Sequence, residues 1–269
     1  MVVVCAESLY SDASDTLVDT PLQKDERIIM YICGGGFVSC DAPMERFVYE
    51  HISERLQMRL FVPRYGTAPQ YCYPQPVHDV YTTLMYLISR GFRSQDIVLL
   101  GLSAGGNIAV ALMNLLAMGQ NESQVAGCIL VSPFLDLAME GRSWQTNRDN
   151  CVIVNRSLRD KQSMPRMYFG RLDGCLDGYD RFIKELRHPL MSPVFGDLER
   201  LPLVQVHVGS HEVMLDDSVT FCERMGNDRA ELFVYEGKNH YSIIRGKQQL
   251  DQVYGHMRRF VQQLAQAAN

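Results

Sequence analysis

Two glycine-framed stretches hold the residues best suited to chemistry. Gly101-Leu102-Ser103-Ala104-Gly105 matches the pattern G-x-S-x-G. Composition alone would produce such a match about 0.1 times in a chain this long, so its setting matters. Residues 96–101 (DIVLLG) read as a strand leading in, and residues 104–118 as an apolar helix leading out. A serine on a sharp turn between strand and helix lifts its hydroxyl above a sheet. Glycines at the flanking positions remove side chains that would clash there. The helix N-terminus then aims free N–H groups and its positive dipole end at the site. The chemistry served is nucleophilic attack on a carbonyl. The plainer alternative is a serine that only caps the helix.

Gly34-Gly35-Gly36 is the second stretch, after an apolar run at 27–33 (RIIMYIC). Attack on a carbonyl puts negative charge on one oxygen, and each backbone N–H aimed at it is worth about 3 kcal/mol. The amides of Gly35, Gly36 and Ala104 are the candidate donors, with Gly34 allowing close approach. Phe37, next in sequence, is the candidate substrate-binding side chain by position alone.

A serine nucleophile needs a base and a carboxylate that orients it. In this kind of site the chain order is serine, acid, histidine. His188 precedes a proline. His207 lies inside a strand pattern and reads as a packed residue. His211 is adjacent to Glu212, poor geometry for an acid–base couple. His256 falls in the closing helix and reads as a surface residue. His240, in the loop Gly237-Lys238-Asn239-His240 just after the last strand, is the expected base. The acid is expected where the run at 203–208 (LVQVHV) ends. Glu212 and Asp216 both stand there, and Asp136 is a third candidate. Asp216 would open the next helix, where a negative charge has a reason of its own.

These groups need a scaffold that brings distant strand ends together. Strands are expected at 27–33, 58–63, 96–101, 126–131, 203–208 and 231–235. Helices are expected at 42–56, 77–90, 104–118, 214–225 and 248–267. This alternation implies an α/β fold, a mostly parallel sheet with helices on both faces. All of 1–269 reads as one domain. Residues 138–189 break the alternation, are Arg-rich and hold the only tryptophan, Trp144. An insertion after a strand end is where a lid or cap would sit. Residues 7–24 carry little pattern.

Together the motifs resemble the hormone-sensitive-lipase-like branch of the α/β-hydrolases. That branch has H-G-G-G and G-D-S-A-G-G, matched here at Cys33-Gly34-Gly35-Gly36 and Gly101-Leu102-Ser103-Ala104-Gly105-Gly106. Tyr65-Gly66-Thr67-Ala68-Pro69-Gln70 is similar to its Y-R-L-A-P-E. Ser132-Pro133-Phe134-Leu135-Asp136-Leu137 is similar to its S-P-W-x-D-L. Ser192-Pro193-Val194-Phe195 and Leu201-Pro202 resemble a later block. The likeness runs from about residue 27 to about 245. It implies the α/β-hydrolase fold, a carboxylesterase activity on small or medium acyl groups, and Glu212 as the acid, from the family's G-x-x-D-x-L-x-D. Cys33 stands where the family has histidine, and Leu102 where it has aspartate. The arm before the glycine triplet is shorter than in the family, which implies a reduced lid.

Composition limits the rivals. Net charge is −5 and there is no basic stripe, which argues against a nucleic-acid partner. No run reaches the roughly 18 apolar residues of a membrane span. The first six residues are too short for a signal peptide, so a soluble cytoplasmic protein is expected. The eight cysteines lack zinc-site spacing. No metal or cofactor is expected. The expected partner is a small-molecule ester, with a homodimer left open. A formamidase or amide deacetylase would use the same machinery. A non-catalytic small-molecule receptor on this scaffold is the rival of another class.

Overall fold

The computed structural model describes residues 3–6, 26–40, 46–119, 124–151, 163–170, 179–240, 242–243 and 247–267. The strands are β1 (Val3–Ala6), β2 (Ile28–Ile32), β3 (Arg59–Pro63), β4 (Ile97–Leu102), β5 (Gly127–Val131), β6 (Val204–Gly209) and β7 (Ala230–Tyr235). They form one sheet in the order β1-β3-β2-β4-β5-β6-β7, and every neighbouring pair is parallel. Six of these strands were expected. β1 was not, because four apolar residues carry no usable period. It is held by register with β3, Val3 opposite Leu60 and Ala6 opposite Pro63.

The helices are α1 (Arg46–Leu56), α2 (Gln75–Ser89), α3 (Ala104–Met118), α4 (Ser143–Thr146), α5 (Met164–Phe169), α6 (Tyr179–Leu186), α7 (Leu215–Met225) and α8 (Lys247–Ala267). Pro76 lies in the first turn of α2, where its missing N–H costs nothing. The expected start of α1 at residue 42 falls outside the described residues. Among the described residues no helix is long and apolar enough to cross a membrane.

Both faces of the sheet are covered, so its central strands β2, β4 and β5 are apolar on both sides rather than alternating. Side chains along β2 divide by the two-residue period of a strand. Ile28, Met30 and Ile32 join the core under α2, α3 and α7, while Ile29 and Tyr31 join the core under α1 and α8. In β4, Ile97 and Leu99 face the first core and Val98 and Leu100 the second.

The strand order also locates the site. After β2 the chain moves outward to β3, then returns to place β4 on the other side of β2. The loops leaving β2 and β4 therefore diverge, and a crevice opens at their carboxyl ends. The glycine triplet follows β2 and Ser103 follows β4.

The expected packed histidine is His207, fully buried in β6. Its Nε2 donates to Gln205 Oε1 at 3.0 Å, so its Nδ1 accepts from Tyr235 Oη at 2.7 Å. His256 is half-buried rather than fully exposed. Its ring packs on Phe233 with centroids 3.7 Å apart, and its Nδ1 lies 3.4 Å from Tyr235 Oη. Its place on α8 turns it toward β7, a neighbour that helical periodicity alone does not reveal.

Burial and the nearby His256 push the His207 pKa down to about 3. An unfolded histidine titrates near 6.5, so between those values the unfolded chain binds more protons. His207 thus contributes stability that is full above about pH 6.5 and is lost as pH falls toward about 3. Urea midpoints measured across this window should fall with pH in the wild type and fall less steeply in His207→Gln. Equal slopes would exclude His207 as the proton-linked group.

Candidate active site

Ser103 holds the backbone of a strained turn, with φ 54° and ψ −118°. A non-glycine residue there costs about 1–3 kcal/mol and persists only when its surroundings enforce it. The enforcement is visible. Ser103 N donates to Val131 O at 2.9 Å, and Phe134 N donates to Ser103 O at 3.1 Å. Gly105 is required by contact, since a Cβ there would lie 2.1 Å from Ile32 O. The serine occupies the N-cap position of α3, yet its side chain makes no capping bond. Capping therefore does not account for this residue.

The glycine triplet lies beside it. A Cβ on Gly34 would be 3.5 Å from Ser103 Cβ. Gly35 has φ 117° and its carbonyl accepts from both Val38 N and Ser39 N at 3.1 Å, which closes a tight turn. Gly36 and Phe37 also have positive φ, 61° and 65°. Ala104, the other candidate donor, is fully buried at the start of α3. Phe37 is fully buried, its ring stacked on Tyr168 of α5 at 4.0 Å.

Glu212 and His240 are brought together directly. His240 Nδ1 donates to Glu212 Oε2 at 2.8 Å. Glu212 is fully buried and follows β6; His240 is 6% exposed and follows β7. The other carboxylate oxygen, Oε1, accepts from Ser132 Oγ at 2.8 Å and from Gly209 N at 2.7 Å. The carboxylate is thus oriented by three donors. Among the described residues no hydrogen bond joins the Ser103 hydroxyl to this pair. Backbone bonds tie the two parts together, Ser103 N to Val131 O and Ser132 N to His207 O. Contacts between nucleophile and base are commonly longer without substrate than the 2.6–3.2 Å needed for proton transfer.

The rival acids are engaged elsewhere. Asp216 Oδ2 accepts from Ser143 N at 2.8 Å in the first turn of α7. Asp136 accepts from Ala138 N and Glu140 N, and its own burial raises its pKa. Asp217 is pushed well above the usual carboxylate range by burial and by Asp136. It accepts from Trp144 Nε1 at 2.9 Å and from two backbone amides. Of the other histidines, His188 and His211 are exposed.

Three supporting residues lie outside the residues first singled out for chemistry. Ser132 orients Glu212 and itself has φ 48°. Asn147 Nδ2 donates to Ser210 O at 3.0 Å and Glu212 O at 2.8 Å, which fixes the acid-bearing loop. Tyr65 Oη donates to Cys33 O at 2.8 Å, and Ala68 N donates to Phe37 O at 2.8 Å, so the Tyr65–Pro69 block braces the glycine loop. Ser132 and Tyr65 lie in two of the family-like blocks, which was their only signal. Asn147 had none. Leu102 lines a cavity of about 20 Å³ with Tyr31, Val48 and Tyr254, on the side of α1 and α8.

A hydrogen bond to a charged group is worth about 1.5–3 kcal/mol. Ser132→Ala should therefore lower kcat roughly tenfold to a hundredfold with little change in KM. An unchanged kcat would remove Ser132 from the device.

The parallel sheet, with the strained serine turn after β4 and the Glu212–His240 pair after β6 and β7, is an α/β-hydrolase fold. A family model for the α/β-hydrolase fold matches residues 29–244. The chain belongs to that family, in its hormone-sensitive-lipase-like branch. An esterase of Acinetobacter venetianus is 31% identical over 198 residues, covering 74% of this chain and 61% of the relative. An acetyl-hydrolase of Streptomyces hygroscopicus is 28% identical over 198 residues, with the same shares. The crystal structure of an esterase from the bacterial hormone-sensitive lipase family superposes with a TM-score of 0.71 at 27% identity. That match covers 87% of this chain and 76% of that one. The matched part of this chain thus spans less than two thirds of the two curated relatives.

Proposed function

We propose that this chain is a carboxylic ester hydrolase in which Ser103, His240 and Glu212 work as a triad. The observation that carries the proposal is the bond of 2.8 Å between His240 Nδ1 and Glu212 Oε2, at the same carboxyl end of the sheet as the serine turn. With its Nδ1–H given to Glu212, the neutral imidazole keeps the lone pair of Nε2 for the Ser103 proton. Ser103 Oγ attacks the ester carbonyl as Nε2 takes that proton. The amides of Gly35, Gly36 and Ala104 hold the oxyanion. The imidazolium then returns the proton to the leaving alcohol. Water, deprotonated by the same nitrogen, releases the acid and restores Ser103.

Phe37 shapes the acyl pocket through its backbone turn and the Tyr168 ring stacked on it. The described parts of the 138–189 insertion, 138–151, 163–170 and 179–189, act as a small lid inserted into a single hydrolase domain, and the rest of that range lies outside the described residues. Two contacts support this. Met164 of α5 packs so close to Gly36 that a Cβ there would lie 2.2 Å from its sulfur, and α4 docks on α7 through Trp144 and Asp217. Small or medium acyl groups are the proposed substrates, in keeping with relatives named esterase and acetyl-hydrolase.

Initial rates on p-nitrophenyl acetate, butyrate and decanoate, set against an N-formyl anilide, test the reading. Higher kcat/KM on the short esters is expected. Preference for the N-formyl substrate would replace the esterase reading with an amidase one. Binding of esters without turnover would favour a receptor.

A further inference from the structure

We propose that Cys33 and Cys40 form an oxidisable dithiol whose disulfide shuts the glycine loop. This rests on the hydrolase reading for its effect on turnover, not for its chemistry. Cys40 Sγ lies 3.6 Å from Cys33 Sγ, across the turn that carries Gly34, Gly35 and Gly36. Cys33 is the residue that stands in place of the family's histidine. The two sulfurs are already near contact, and a bond needs them about 2.05 Å apart.

The two sides of the pair differ in freedom. Cys33 directly follows β2 and is fully buried. Its carbonyl accepts from Tyr65 Oη, and α3 lies so close that a Cβ on Gly105 would be 2.4 Å from that oxygen. Cys40 is half-buried, at the open end of the turn. Oxidant therefore reaches Cys40 first, and Cys40 must move toward a fixed Cys33. The intervening backbone has little slack, because Val38 N and Ser39 N both converge on Gly35 O. Drawing the sulfurs together by about 1.5 Å pulls the amides of Gly35 and Gly36 away from the position where an oxyanion forms. A displacement near 1 Å in a catalytic array can cost about a hundredfold in rate.

The chemistry balances with a peroxide as oxidant. The Cys40 thiolate attacks one oxygen of hydrogen peroxide, the O–O bond breaks, and the departing hydroxide takes a proton to become water. This leaves a sulfenic acid on Cys40. Cys33 sulfur attacks that sulfur, the S–S bond forms, the S–O bond breaks, and a second water leaves with the Cys33 proton. Two electrons pass from the thiols to the peroxide. A small-molecule dithiol reverses the step by exchange.

The purified full chain is treated with hydrogen peroxide, quenched with an alkylating agent and mapped without reduction. The expected product is a Cys33–Cys40 cross-linked peptide lighter by two hydrogens. Turnover of p-nitrophenyl acetate should fall by about tenfold or more and return with dithiothreitol. Cys40→Ser should keep the reduced turnover and lose the peroxide response. Three results overturn the proposal: alkylation of both thiols after peroxide, sulfinic acid at Cys40 with Cys33 still alkylated, or a cross-link that leaves turnover unchanged. The cross-link is scored by mass, independently of catalysis. A reduced protein without ester turnover would overturn the hydrolase reading, and the dithiol would then stand or fall on the peptide map.

Discussion

Replacement of Ser103 by alanine is expected to abolish fluorophosphonate labelling and to lower ester turnover by about 10⁴-fold or more. The size follows from the role. Without Oγ no acyl-enzyme forms, and only the oxyanion amides and binding contacts remain to help water. The fold should be unaffected. The Ser103 hydroxyl makes no capping bond, and the turn is held by backbone bonds to Val131 and from Phe134, which alanine retains. Unfolding midpoints should therefore match the wild type within about 0.5 kcal/mol. That pairing of lost chemistry with kept stability separates a nucleophile from a structural serine. Wild-type protein that stays unlabelled at high reagent would sink the enzyme reading itself.

The parts of this molecule that were readable in its sequence are those whose local chemistry leaves no choice. The strand-to-helix turn at Ser103 demands glycine at 105 by contact with Ile32 O, and the tight turn after β2 demands a residue that tolerates φ 117° at 35. The central strands β2, β4 and β5 were legible because burial on both faces makes each an unbroken apolar run. The unreadable parts draw their stability from residues far away in sequence. Helix α4 has four residues, too few to stand alone. It exists because Trp144 Nε1 and Ser143 N find Asp217 and Asp216 across about seventy residues of chain. Asn147 and Ser132 act on Glu212 across similar gaps. The half-burial of His256 was not legible because its partners, Phe233 and Tyr235, come from a strand rather than from its own helix. The proposed acid lies between these cases. A carboxylate after β6 was legible, but what favours Glu212 over Asp216 and Asp136 is where each carboxylate finds its donors.

Glu212→Gln should lower kcat by about 10³–10⁴-fold, while Asp216→Asn should leave it within a few-fold of wild type. The contrast follows from the donors around each group. Glu212 Oε1 accepts from Gly209 N, a donor that cannot reverse its role. A glutamine side chain must therefore keep its carbonyl oxygen at that position. Its NH₂ then faces His240 Nδ1, where Oε2 stood. Nδ1 can pair with an NH₂ only by accepting, so the imidazole carries its proton on Nε2 instead. That nitrogen is the one needed to take the Ser103 proton, and it is no longer a base. The substitution changes no volume and breaks no fold, yet it inverts the tautomer and removes the negative charge that stabilises the imidazolium. Asp216, by contrast, supports Ser143 N at the start of α7. An asparagine oxygen keeps that bond and loses only the charge near the helix N-terminus, worth about 0.3–1 kcal/mol of stability. Steady-state kinetics of the two variants decide the assignment. Full activity in Glu212→Gln, or collapse in Asp216→Asn, would move the acid away from Glu212.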